Sequence, residues 1–122
     1  MKINDSSTTP IYIQIAEMIE NEVLEGNLKE NERVYSTNEM AKFFSINPAT
    51  ARKGLNILTQ EGIIYKKRGL GMFISPEAHD VIMKKRKAIF LKNHVNNFLI
   101  EASKLGITKD ELIELIKAYK II

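Results

Sequence analysis

Residues 36–58 hold two helix starts so close together that only a short helix and a tight turn fit between them. Ser36-Thr-Asn-Glu39 has the spacing at which a hydroxyl and a carboxylate each satisfy the other's backbone donor. Asn47 is a good cap, and Pro48 suits a first helical position, where its missing N–H costs nothing. The first helix offers Met40, Ala41, Phe43 and Phe44 for burial, and only Ser45 and Ile46 separate it from the Asn47 cap. Two short helices joined in this way form a helix-turn-helix. In the second, Ile46, Ala51, Leu55 and Leu58 recur at the steps of a buried face. Asn47, Ala49, Thr50, Arg52, Lys53 and Asn56 fall largely on the other side. Short, polar and basic side chains on an outward face suit base edges and phosphates. The plainer reading is an amphipathic helix with a solvated polar face, so the flanking segments decide.

Charge is distributed in favour of nucleic acid. The net charge of +3 says little, but residues 1–39 hold three basic groups against eight acidic ones. Residues 40–75 hold six basic groups against Glu61 alone. Clustered Lys and Arg displace counterions from phosphates and give salt-sensitive affinity. Beyond Gly62, Ile63-Ile-Tyr-Lys-Lys67 and Met72-Phe-Ile-Ser75 read as strands joined by Arg68-Gly-Leu-Gly71, a hairpin that on a helix-turn-helix makes a wing. Gly69 and Gly71 serve either plain turn geometry or close approach to another molecule, and Lys66, Lys67 and Arg68 beside them favour the second.

Upstream, a helix is expected from a Thr9 cap and Pro10 to Leu24 or Glu25, stopped by Gly26. Tyr12, Ile15, Ala16, Ile19 and Val23 form its core stripe, with Glu17, Glu20 and Glu22 in water. Leu28 and Val34 pin the loop that follows. Residues 9–75 thus read as a winged helix-turn-helix domain and 76–122 as a helical dimerisation region, mostly α with one small β-hairpin (α+β).

After Ser75-Pro76 a helix could run unbroken to Leu105, before Gly106. Ala88, Leu91, Val95, Phe98, Ala102 and Leu105 alternate steps of three and four, a coiled-coil-like seam. Thr108 and Glu111 open a last helix, with Ile107 stapled to Leu112 and a face of Leu112, Leu115, Ile116 and Tyr119. Ile89, Phe90, Leu99 and Ile100 lie beyond the seam, more apolar surface than two helices can cover. An isologous homodimer over residues 78–122 would bury it; the alternative is a hairpin folded back on its own chain.

This order of elements resembles the GntR family of bacterial transcription regulators over residues 10–75. The resemblance rests on Pro10-Ile-Tyr-Ile-Gln-Ile15, Gly26-Asn-Leu, Ser36-Thr-Asn-Glu-Met-Ala41, Ile46-Asn-Pro-Ala-Thr-Ala-Arg52, Leu58-Thr-Gln-Glu-Gly-Ile63 and Arg68-Gly-Leu-Gly-Met-Phe73. The short tail and Ile-Asn-Pro-Ala-Thr are similar to the YtrA subfamily, small dimeric regulators that often repress transporter operons. The resemblance implies that Arg52 is the recognition-helix arginine on DNA, Thr50 lies near the backbone and Gly69 is the wing glycine in the minor groove. On this reading Asn47, Thr50, Arg52, Lys53 and Asn56 are expected to face the major groove, Arg68, Gly69, Leu70 and Gly71 the minor groove, and Ser36 and Asn38 the DNA backbone. Two departures remove charge: Tyr35-Ser-Thr-Asn38 stands where the family has Pro-Ser-x-Arg, and Pro48 where many relatives are basic.

Little else competes. A protein-interaction module and a nonspecific architectural DNA binder are the alternatives, because fold alone does not fix function. No acid/base pair, activated nucleophile or phosphate loop points to an enzyme or a cofactor, and His79 and His94 are too far apart for one metal within a chain, leaving an intersubunit site with Asp80 or Glu77 as the minor alternative to solvated side chains. The run Lys84-Lys-Arg-Lys87 is a solvated helix turn or a second phosphate patch. Only 47 residues follow Ser75, leaving little room for an effector pocket of about 300 Å³ or more, so a small molecule would sit at the dimer interface. The absence of cysteines, of a signal-peptide core and of any apolar run of about 20 residues leads us to expect a cytoplasmic protein without a membrane partner.

Overall fold

The chain is described from a computed structural model covering residues 2–120. Its order is α1 (Ile11–Leu24), α2 (Thr37–Phe44), α3 (Pro48–Gln60), β1 (Ile64–Lys67), β2 (Gly71–Ile74), α4 (Ala78–Ile89), a π-helical turn (Phe90–Val95), α5 (Asn96–Lys104) and α6 (Lys109–Ala118). Residues 1–84 and 85–122 form two compact units.

In the first unit α1 and α2 both pack on α3 around one core. Ile15, Ile19, Met40, Leu55, Leu58, Ile63, Ile64 and Ile74 are almost fully buried there. Ala78 and Ile82 complete the same core, so the first turns of α4 belong to this unit. The α1–α3 packing is unusually close at Gly54. A β-carbon there would lie 2.7 Å from the Tyr12 carbonyl oxygen and 3.1 Å from Ile15 Cγ2. Only a residue without a side chain lets the two helices approach so nearly.

The hairpin is antiparallel, pairing Ile64 with Ile74 and Lys67 with Gly71. Gly71 therefore belongs to a strand, and the tip is Arg68–Leu70 rather than four residues. The loop before α2 is also more ordered than expected. Val34 is buried in the core, as expected of an anchor, and also donates to the Met72 carbonyl, while Ile74 donates to Glu32 and Arg33 bridges Phe73. Residues 31–34 thus protect the edge of β2.

Four expectations need correction. Pro10, not Thr9, precedes α1; its ψ of 147° is extended, no side chain caps the helix, and the Thr9 carbonyl instead accepts from Gln14. Glu20 is buried at 1% exposure rather than solvated, because the buried face of α1 is wider than one stripe and also takes in Met18. Among the described residues no buried side-chain nitrogen or oxygen is left without a hydrogen bond. Phe43 is not core: it is 72% exposed and stacks beside Tyr35, because the buried side of so short a helix is filled by Met40 and Ala41. The helix after Ser75 starts at Ala78 and is not uniformly α, since the π turn interrupts it.

That π turn lies in the second unit and shifts the seam. Bonds from i to i+5 add a residue to the turn, so the side chains beyond it are rotated relative to an unbroken three-four repeat. Within this unit Ala102 on α5 and Leu112 on α6 are buried, and a Thr108–Glu111 capping box opens α6. Ala88, Leu91, Phe98, Leu105, Leu115, Ile116 and Tyr119 are exposed and Val95 half-buried. The last helix ends at Ala118, and residues 121 and 122 of the expected dimerisation region lie outside the described residues.

Gly54→Ala tests the close helix contact. Helix propensity alone favours alanine by about 1 kcal/mol, whereas the clash predicts a net destabilisation of about 1–3 kcal/mol, read as a lower midpoint in urea. An alanine variant as stable as the parent would show that the helices are free to separate.

Candidate nucleic-acid interface

The outward side of α3 is built by its own N-terminus. Asn47 Oδ1 accepts the Ala49 amide at 2.8 Å, and Pro48 holds the first helical position. Ser45, which closes α2, has φ 53°, a left-handed conformation that lets the chain reverse within two residues. With Ala51, Leu55 and Leu58 buried, Ala49, Arg52, Lys53 and Asn56 are exposed and Thr50 is half-buried. Asn47 is exposed too, although its side-chain oxygen is committed to the cap. Lys53 is not loose: its ammonium lies 4.1 Å from the centroid of the Tyr12 ring.

The start of α2 is a charged knot. Ser36 Oγ accepts the Glu39 amide at 3.1 Å, and Glu39 Oε1 accepts both the Ser36 amide at 2.9 Å and Arg33 at 2.8 Å. Ser36 is therefore half-buried in its own cap, while Asn38 beside it is exposed. The Ser36 amide, then the Arg33 guanidinium and the Ser36 hydroxyl, hold the Glu39 carboxyl below its ordinary range.

Arg33 also ties this knot to the wing. A β-carbon on Gly71 would sit 3.4 Å from Arg33 Nε, so Gly71 is the floor on which the guanidinium stem lies. At the tip Arg68, Gly69 and Leu70 are exposed, and Gly69 has φ 77°, open to glycine without strain. The Lys67 ammonium lies 4.5 Å from the Phe73 ring, directed back along the hairpin. Sequence reasoning missed Arg33, Tyr12 and Gly54. A basic residue three places before an expected helix cap and a glycine inside a helix were the available signals.

A two-helix corner with an exposed, capped second helix and a basic hairpin is the winged form of the helix-turn-helix. The sequence profile of the bacterial regulatory proteins of the gntR family matches residues 11–74. The chain belongs to the GntR family. Proteins of this family regulate transcription by binding DNA and are not enzymes.

This GntR protein is 32% identical over 117 residues to the HTH-type transcriptional repressor YtrA of Bacillus subtilis, covering 96% of this chain and 89% of that one. It also superposes on a GntR family transcriptional regulator from Listeria monocytogenes with a TM-score of 0.70 and 31% identity, over 97% of this chain and all of the other. Both likenesses take in the short helical tail as well as the winged domain. The DNA-binding domain of AraR in complex with operator ORX1 is similar to 62% of this chain, at 25% identity and a TM-score of 0.55, over 93% of that domain. Among the described residues no His, Asp and Glu side chains are grouped to hold a metal, and no helix is long and apolar enough to cross a membrane.

The Glu39 knot is sensitive to pH. Because folding lowers this carboxyl, its stabilisation is complete above the ordinary value of 4.5 and is lost as pH falls through the lower folded value. Acid titration of the unfolding midpoint should therefore show a loss below about pH 4.5 that is smaller in Glu39→Gln, which retains the capping geometry without the charge. Identical acid profiles in the two proteins would remove Glu39 from the linkage.

Proposed function

We propose that this protein is a dimeric, cytoplasmic transcription repressor that reads an operator of two inverted half-sites. The observation that carries it is the exposure of Arg52 on α3, capped and oriented by Asn47 and Pro48. In this reading Arg52, Thr50, Asn47, Lys53 and Asn56 face the major groove, with Ala49 beside them. Arg68 through Gly71 reach the minor groove, and Ser36 and Asn38 lie at the backbone. The sign of regulation is supported by near full-length similarity to a repressor. Control of a transporter operon extends the resemblance to the YtrA subfamily.

Dimerisation is assigned to the second unit. Leu91, Phe98, Leu105, Leu115 and Ile116 are between 50% and 68% exposed there, a density of apolar surface that marks an interaction site. Two copies joined by an isologous contact present two reading heads. Their half-sites should then lie about one helical turn apart or a small multiple of it.

Selection of bound fragments from random duplex DNA should recover a palindrome. Unselective recovery would instead favour an architectural binder, and no recovery an interaction module. On the selected duplex Arg52→Ala should cost about 1–3 kcal/mol, with a much smaller loss on random DNA. Equal losses on both would move Arg52 to phosphate. Sedimentation equilibrium should find dimers for the parent and monomers for Phe98→Asp; persistent dimers in that variant would place the interface elsewhere.

A further inference from the structure

The structure assigns Lys53 to the DNA backbone rather than to the bases, with Tyr12 of α1 as the residue that positions it. This assignment rests on the DNA-binding reading of α3. Arg52 and Lys53 are neighbours in sequence, so their side chains diverge by about 100° around the helix. They flank the ridge that carries Ala49 and Asn56. Lys53 is on the flank turned towards α1, because the next residue, Gly54, abuts the Tyr12 carbonyl. There the ammonium sits 4.1 Å from the Tyr12 ring centroid.

The dimensions of the groove give that position its meaning. A helix with its side chains is about 10–12 Å across, and the major groove is about 12 Å wide. Residues on the leading ridge of an inserted helix therefore meet base edges, and a flank residue meets the sugar-phosphate wall unless its side chain extends across the ridge, as the proposed role of Arg52 requires. A lysine tethered at the flank is held back from a guanine edge. Its ammonium keeps donors free on the side away from the ring and acts as a point charge, which suits a phosphate oxygen. The aromatic face limits the conformations of a long, flexible stem before DNA arrives, so less freedom is lost on binding. Tyr12 thus does two things at one place: its carbonyl sets how near α3 stands to α1, and its ring aims a cation.

The test uses a random-sequence duplex of about 30 base pairs beside the selected operator, with affinities measured across a range of salt. Lys53→Ala should weaken both duplexes by the same factor and make the slope of log affinity against log salt shallower by about 0.9. Lys53→Arg should restore both, since it keeps the charge and still stacks on a ring. Tyr12→Leu should weaken binding about two- to fivefold, Tyr12→Phe should leave it unchanged, and Tyr12→Leu should add nothing in a Lys53→Ala background. The cycle separates aiming from folding, because a merely structural loss at Tyr12 would persist without Lys53. A change in base preference on Lys53→Ala, an unchanged salt slope, or fully additive effects of the two substitutions would overturn the assignment. If the parent binds neither duplex while remaining folded, the DNA-binding reading itself fails and this assignment falls with it.

Discussion

The packing of α1 against α3 at Gly54 is the constraint on which the outward face of α3 depends. A helix is positioned by what its buried face touches, and here that face includes a backbone-to-backbone approach that no β-carbon permits. Once α3 is pressed on α1, Ala51, Leu55 and Leu58 point inward and Arg52, Lys53 and Asn56 must point out. The proposed recognition surface is therefore a consequence of core packing and not of local preference on the outward side.

A second restraint works through charge. Arg33 rests on Gly71 at the root of the hairpin and bridges to Glu39, which in turn completes the cap of α2. Such an exposed pair contributes little stability by itself. Its effect is geometric, because one side chain links the strand edge, the wing and the first turn of the helix-turn-helix. Two parts of the proposed DNA surface are thereby fixed relative to each other by a residue that neither part contains.

The second unit follows different rules. Its last helix is opened locally by the Thr108–Glu111 box and Ala102 and Leu112 are buried, yet most of its large apolar side chains stay exposed. The π turn at Phe90–Val95 keeps its backbone amides bonded within the helix, so no proline or glycine marks it in advance. The sequence of that stretch fits an unbroken three-four repeat, and the wider turn appears only in the folded chain.

By itself, the sequence determined the elements whose causes are local. The Ser36, Asn47 and Thr108 caps, the glycine stop after α1, the paired hairpin strands and the split of α3 into buried and outward sides were all legible. Each depends on residues within a few positions of one another. Only the tertiary structure decided which side chains meet across elements: Glu20 enters the interior, Phe43 stays out beside Tyr35, residues 31–34 join the sheet edge, and Tyr12 takes hold of Lys53. Periodicity reports the phase of a side chain on its own helix, but it carries no information about which neighbour stands opposite, and that distance is set by packing.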